Sequence, residues 1–162
     1  MIRVEVGDIT SMDVDAVVRP ATATLAGIDR PEDGPSGPYS VRQPLDVGAA
    51  VVTEATALTA EFVIHAVLKA PGRDISGDGV RLALVSVMHQ ARAWRLSRIA
   101  VPLLGVGPDG IAKEEAASLL AEVLSTEGRT APDPSEVCIV VGSDEDRSLV
   151  EAHLRRWLAY ES

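Results

Sequence analysis

At 162 residues the chain is long enough for one domain with a full hydrophobic core, spanning 1–162, and short for two. Its hydrophobic share of 46%, rich in Val, Leu, Ala and Ile with only 3% aromatics, is the composition of an α/β sandwich whose strands are buried on both faces. A formal net charge of −9 excludes indiscriminate binding to bulk nucleic acid or an anionic membrane surface, though not one nucleotide held by backbone amides.

The first expected strand is Ile2 to Val6, which alternates and carries no signal-peptide pattern. A short apolar second strand, Ala16-Val17-Val18, follows. From Gly27 to Pro44 the chain carries Pro31, Gly34, Pro35, Gly37 and Pro38 with almost no periodicity, and reads as an irregular excursion. Ala49 to Thr53 and Phe62 to Val67 are two further strands, followed by a loop over Ala70 to Gly79. Val80, Leu84, Val87, Met88, Ala91 and Trp94 then share one helical face, with Asp78-Gly79 as the start signal. Ile99 to Leu104 is a strand, and Ala116, Leu119, Leu120, Val123 and Leu124 form the stripe of a second helix that opens on Glu114 and Glu115. After a loop over Gly128 to Ser135, Val137 to Val141 completes six strands, and Ser143-Asp144 opens a third helix through Val150, Leu154, Trp157 and Leu158. Strands alternating with helices over the second half predict right-handed crossovers and parallel pairing. No apolar run reaches membrane-spanning length, and the chain is expected to be cytoplasmic.

Between the fifth strand and the second helix lies Gly105-Val106-Gly107-Pro108-Asp109-Gly110. A glycine-punctuated turn into a helix N-terminus aims unpaired N–H groups and the positive end of the helix dipole at one point, which suits a phosphate. The same residues also read as a plain turn, with Pro and Gly at their preferred places. Other chemistry is sparse. Cys138 is the sole cysteine, so no intramolecular disulfide forms and a Cys/His metal cluster lacks ligands; it reads as a small buried hydrophobe. His65, mid-strand, is expected in the core with its ring satisfied by backbone, while His89 and His153 sit on helices without an acidic partner at ligand spacing. Trp94 and Trp157 are expected to pack in the core. No serine stands in a nucleophile-elbow context, and no metal or cofactor is expected.

Taken together, the segments resemble the macro domain, the family that binds ADP-ribose and in some members removes it from proteins or small molecules. Gly7-Asp8-Ile9-Thr10 is similar to the family's Gly-Asp-Ile-Thr, and Asp13 to Val18 to its Val-Asp-Ala-Ile-Val. Gly48 to Thr53 resembles Gly-Glu-Ala-Val-Ile-Thr, and Phe62 to Val67 resembles Tyr-Val-Ile-His-Thr-Val. Ile99 to Ala117 aligns without a gap on the family's phosphate-loop segment. The resemblance covers nearly the whole chain and implies a three-layer α/β/α sandwich around a mixed, largely parallel six-stranded sheet.

It also implies site residues. Asp8 would accept from the adenine amino group and Ile9 would line the adenine pocket; the residue-level alternative for Asp8 is a turn cap. Gly105, Val106, Gly107 and Gly110 would cradle phosphate, with Asp109 placing a like charge where the family has an aromatic. The family's Asn-Ala-Ala-Asn becomes Arg19-Pro20-Ala21-Thr22, in which Thr22 alone offers a hydroxyl toward the ribose and Arg19 reads as a surface cation closing the strand. The first glycine loop of the family is reduced to Leu25-Ala26-Gly27-Ile28-Asp29, where Asp29 is either a leftover catalytic-type carboxylate or a solvated loop residue. Gly142-Ser143 replaces the aromatic that stacks on adenine. The expected function is weak or lost binding of ADP-ribose or a related nucleotide, without hydrolysis. Two alternatives are an ADP-ribosyl or ADP-ribose-phosphate hydrolase with a rearranged site, and an interaction module whose cleft is filled by the Gly27 to Pro44 segment.

Overall fold

A computed structural model describes residues 1–23, 45–130 and 133–161. The expected excursion and Asp29 lie outside them. In chain order the elements are β1 (Ile2–Val6), a 3-10 turn (Ile9–Ser11), β2 (Ala16–Thr22), β3 (Ala50–Glu54), β4 (Phe62–Lys69), α1 (Gly77–Ala93), β5 (Arg98–Val101), α2 (Lys113–Thr130), β6 (Glu136–Val141) and α3 (Asp144–Glu161).

The six strands form one sheet in the order β1-β6-β5-β2-β4-β3. Every neighbouring pair is parallel except β3 with β4, which are antiparallel through Ala50↔Ala66 and Glu54↔Phe62. This is the mixed, largely parallel sheet of the expected α/β/α sandwich. On one face Ala16, Val18, Ile64, Ala66, Ile99 and Ile139 meet the apolar stripes of the three helices in the main core. Each buried Val, Leu or Ile of this cluster contributes about 1.5–3 kcal/mol when fully removed from water, and the larger number of them lies on this face. The opposite face carries Val17, Ala100, Cys138 and Val140, closed over by Ile9 and Met12 around the 3-10 turn. Among the described residues no helix is long and apolar enough to cross a membrane.

β3, β4 and β6 differ from expectation by one or two residues at their ends, and three further boundaries differ for identifiable reasons. β5 stops at Val101 rather than Leu104, because Pro102 has no N–H with which to extend a ladder. β2 does not close at Arg19 but runs on to Thr22. It pairs with β5 only through Ala16 and Val17 and with β4 over its whole length, so beyond Val17 one side is open and Pro20 is tolerated there. α1 begins at Gly77, before the expected Asp78-Gly79 signal, because Ser76 caps it: its hydroxyl oxygen accepts from Gly79 N at 3.0 Å. Ser76→Ala is therefore expected to cost about 1 kcal/mol in urea unfolding, whereas a cap at Asp78 would leave that substitution neutral. Trp94 also departs from the core reading. It is the C-cap of α1, 50% exposed, with its ring tilted against Phe62 at the start of β4. Trp157 packs against the main core as expected.

Candidate functional site

The chain leaves β2 toward β3 and β4 on one side of the sheet and leaves β5 toward β6 on the other. The β2–β5 boundary is therefore the topological switch point, where the carboxyl ends of parallel strands open a crevice. Asp8 and Ile9 follow β1, Gly105 to Gly110 follow β5, and Thr22 ends β2. All the described candidates thus stand along one edge of the sheet.

Asp8 caps the 3-10 turn. Its Oδ1 accepts from Thr10 N at 2.9 Å and from Thr10 Oγ1 at 2.7 Å. The Thr10 hydroxyl and then its amide hold the exposed carboxyl below the usual carboxylate range, so it is ionised at neutral pH. Both bonds fall on Oδ1, and a carboxylate has acceptor sites on each oxygen. Capping and ligand recognition are therefore compatible for Asp8. Ile9 is half-buried and packs against the second core cluster, so the same side chain that would line a pocket also anchors the turn.

The loop after β5 is folded on itself. Gly110 N donates to Gly107 O at 3.0 Å and Ile111 N to Gly105 O at 2.8 Å, while Val106 and Ile111 form an isolated bridge. Gly105 has φ +90°, and a Cβ there would lie 2.6 Å from Val80 Cγ2 of α1. At Gly110 a Cβ would overlap the Gly105 carbonyl. These two glycines are required by the path of the backbone. Gly110 does not offer its amide to a phosphate, because the turn consumes it. Among the described residues the amides of Val106 and Asp109 have no backbone acceptor, whereas the parallel bridge turns Gly107 N toward the Ile111 carbonyl. They stand ahead of α2, whose first turn already carries Glu114 and Glu115 against the helix dipole.

Asp109 is not an unpaired like charge. Its Oδ2 accepts from Lys69 Nζ at 3.0 Å, and its carbonyl accepts from Ile75 N at 3.0 Å. Lys69 is the functional candidate that sequence reasoning missed; its signal was a cation closing the buried run Phe62–Lys69. Past β6, Ser143 spends its hydroxyl oxygen on the α3 cap, accepting from Asp146 N at 3.1 Å. Of the described aromatic side chains, Phe62 and Trp94 lie at the other end of β4 and Trp157 packs against the main core from the last turns of α3.

The histidines also depart from expectation. His65 is buried, and its Nε2 lies 2.8 Å from Thr53 Oγ1, so a side chain rather than backbone satisfies it. Burial, and then the Arg19 charge, push it down to about 4. His89 lies 3.3 Å from Glu127 and His153 2.9 Å from Glu114, acids supplied by the neighbouring helix rather than by their own. The His89 pair ties α1 to α2, and the His153 pair ties α3 to the first turn of α2. Burial first, and then the Glu5 carboxylate, raise the Cys138 thiol, which stays protonated and unreactive. Among the described residues no group of three or more His, Cys, Asp or Glu side chains is placed to hold a metal ion.

An α/β fold with an acidic turn after its first strand and a glycine loop at its switch point has its crevice at the carboxyl ends of its parallel strands, where such folds bind their ligands. The family model described as Macro domain matches residues 38–120. An O-acetyl-ADP-ribose deacetylase of Enterobacter sp. (strain 638) is 30% identical over 164 residues, covering 93% of this chain and 91% of that protein. An uncharacterised protein of Aquifex aeolicus (strain VF5) is 31% identical over 160 residues, covering 93% and 94%. The Oceanobacillus iheyensis macrodomain with ADP superposes with a TM-score of 0.78 at 21% identity, over 97% of this chain and 91% of the other. The chain belongs to the macro domain family.

Proposed function

We propose that the carboxyl edge of the sheet is a site for ADP-ribose or a related nucleoside diphosphate, that it binds weakly, and that it does not hydrolyse its ligand. One observation carries this reading. The uncommitted amides of Val106 and Asp109 and the ionised Asp8 stand at the carboxyl ends of parallel strands in one sheet, fit for a phosphate and an exocyclic amine respectively. The deacetylase relative and the ADP-bound macrodomain support the ligand class.

Weakness follows from what the edge lacks. No aromatic stands at Gly142-Ser143, and stacking on adenine is worth about 1–3 kcal/mol. Gly110 N is spent inside its own turn, Pro108 has no N–H, and two glutamates already sit at the α2 N-terminus. Loss of hydrolysis follows from β2. Arg19 is an exposed cation, donor-only and unable to take a proton from water, and Pro20 offers no amide.

The test is a titration with ADP-ribose, with AMP and ATP alongside, read by melting temperature and by calorimetry. Saturation at 100 times the dissociation constant stabilises the fold by about 2.7 kcal/mol, and this shift is expected only as ADP-ribose approaches millimolar. No shift at millimolar ADP-ribose rejects the reading. The deacetylase relative favours a second one, in which Asp29 acts as the carboxylate of a rearranged hydrolase. Turnover of O-acetyl-ADP-ribose that disappears in Asp29→Ala would replace the first reading with the second.

A further inference from the structure

We propose that Lys69 is the cation that meets the diphosphate of the bound ligand, and that Asp109 holds it in reserve and thereby limits affinity. The inference rests on the nucleotide site proposed above and assigns a specificity-determining pair within it.

The pair occupies a place that an ordinary surface salt bridge has no reason to take. β4 lies next to β2, and β2 next to β5, so Asp109 from the loop after β5 must pass over the carboxyl end of β2 to reach Lys69. The Cα of Lys69 is in register with Thr22, the last residue of β2. The Asp109 carbonyl accepts from Ile75 N, which draws the same turn toward the segment following β4. The ion pair therefore bridges the switch-point crevice, beside the amides that would receive phosphate.

Its energetics make it exchangeable. Lys69 is 36% and Asp109 65% exposed, and ion pairs in that much water contribute little. A diphosphate seated on the amides of Val106 and Asp109 lies against the Asp109 carboxylate and repels it. The ammonium is a compact charge with three donors on a flexible stem, and the phosphate oxygens carry more charge than one carboxylate. Lys69 therefore leaves Asp109 for the diphosphate as the ligand docks. Asp109 opposes binding twice, by holding the lysine in the free protein and by repelling the phosphate in the complex.

A staple that merely held the loop in shape would make different predictions. Truncating either half of a staple loosens the same loop, so both variants would bind more weakly. Exchange instead requires opposite signs from the two halves of one ion pair. Calorimetric titration of ADP-ribose at low salt, with wild type, Lys69→Ala, Asp109→Asn and the double variant, reads the difference. Lys69→Ala should weaken binding about fivefold and Asp109→Asn should tighten it about threefold, both differences shrinking in high salt. Asp109→Asn should tighten less in the Lys69→Ala background, where no lysine is left to release. Lys69→Gln and Asp109→Ser repeat the comparison should either first variant melt early. Changes of the same sign, or no change on removing Lys69, overturn the exchange while leaving the site intact. Failure of both wild type and Asp109→Asn to bind millimolar ADP-ribose overturns the site and the exchange together.

Discussion

Gly110→Ala is expected to unfold at a temperature about 5–10 °C below wild type and to bind ADP-ribose at least tenfold more weakly. A methyl at this position would overlap the Gly105 carbonyl, a backbone atom that cannot swing aside as a side chain does. Relief requires the turn to open. Opening breaks the bonds from Gly110 N to Gly107 O and from Ile111 N to Gly105 O. A compensating shift at Gly105 is limited by α1, since Val80 Cγ2 stands where a Cβ on Gly105 would come within 2.6 Å of it. The combined cost is about 2–3 kcal/mol, and for a chain of this size 1 kcal/mol moves the midpoint by roughly 2–4 °C. The amides of Val106 and Asp109 lose their positions with the turn, which is why binding falls beyond what stability alone predicts. Gly142→Ala is the matched control. It sits on the same edge after β6, and a Cβ there meets nothing within 4 Å. Thermal melts and ADP-ribose titrations of the two variants should separate cleanly. Equal behaviour would show that the turn is not held by the Gly105–Gly110 contact.

How far the sequence revealed this molecule depends on whether the information was local. β1 and β6 were legible because an alternating or wholly apolar run bounded by turn residues has few other readings. The buried stripe of α1 was legible for the same reason, until its C-terminus, where Trp94 overhangs the sheet instead of entering it. The extension of β2 through Pro20 was not legible. A proline argues against a strand unless one side is unpaired, and that depends on β5 ending at Val101, some 80 residues away by sequence numbering. The partners of His89 and His153 were missed because Glu127 and Glu114 lie on a different helix, 38 and 39 residues distant. At the candidate site the glycine loop announced its own turn, but not that Gly110 would spend its amide there. Nor did Asp109 announce Lys69, 40 residues earlier, as its partner. Local propensity fixes elements, and the chemistry of the edge is set by which strands happen to end side by side.

The other large effect is in pH, and its source is His65. This ring is 5% exposed and pushed down from its usual 6.5 to about 4, first by burial and then by the Arg19 charge. In the unfolded chain it titrates near its usual value, so between these two values the unfolded state binds more protons than the folded state. Stability therefore rises with pH across that window and falls as the solution is acidified. Holding the ring neutral costs the fold about 2 kcal/mol by pH 5 and about 3 kcal/mol by pH 4 relative to neutral pH. That is a large share of the 5–15 kcal/mol typical of a domain. Carboxylates such as Asp8, whose pKa is lowered, lose their contribution on acidification too, but only once the pH reaches the carboxylate range. His65→Gln removes the titration and retains a group able to bond the Thr53 hydroxyl. Urea unfolding of both proteins from pH 7.5 to 4.5 should show the wild type losing about 2–3 kcal/mol more than His65→Gln. Parallel curves would mean that the ring takes up its proton without leaving the folded state. Nucleotide affinity should follow a different profile, since Asp8 stays ionised below the pH at which His65 begins to destabilise the fold, and the two effects can be read separately in one buffer series.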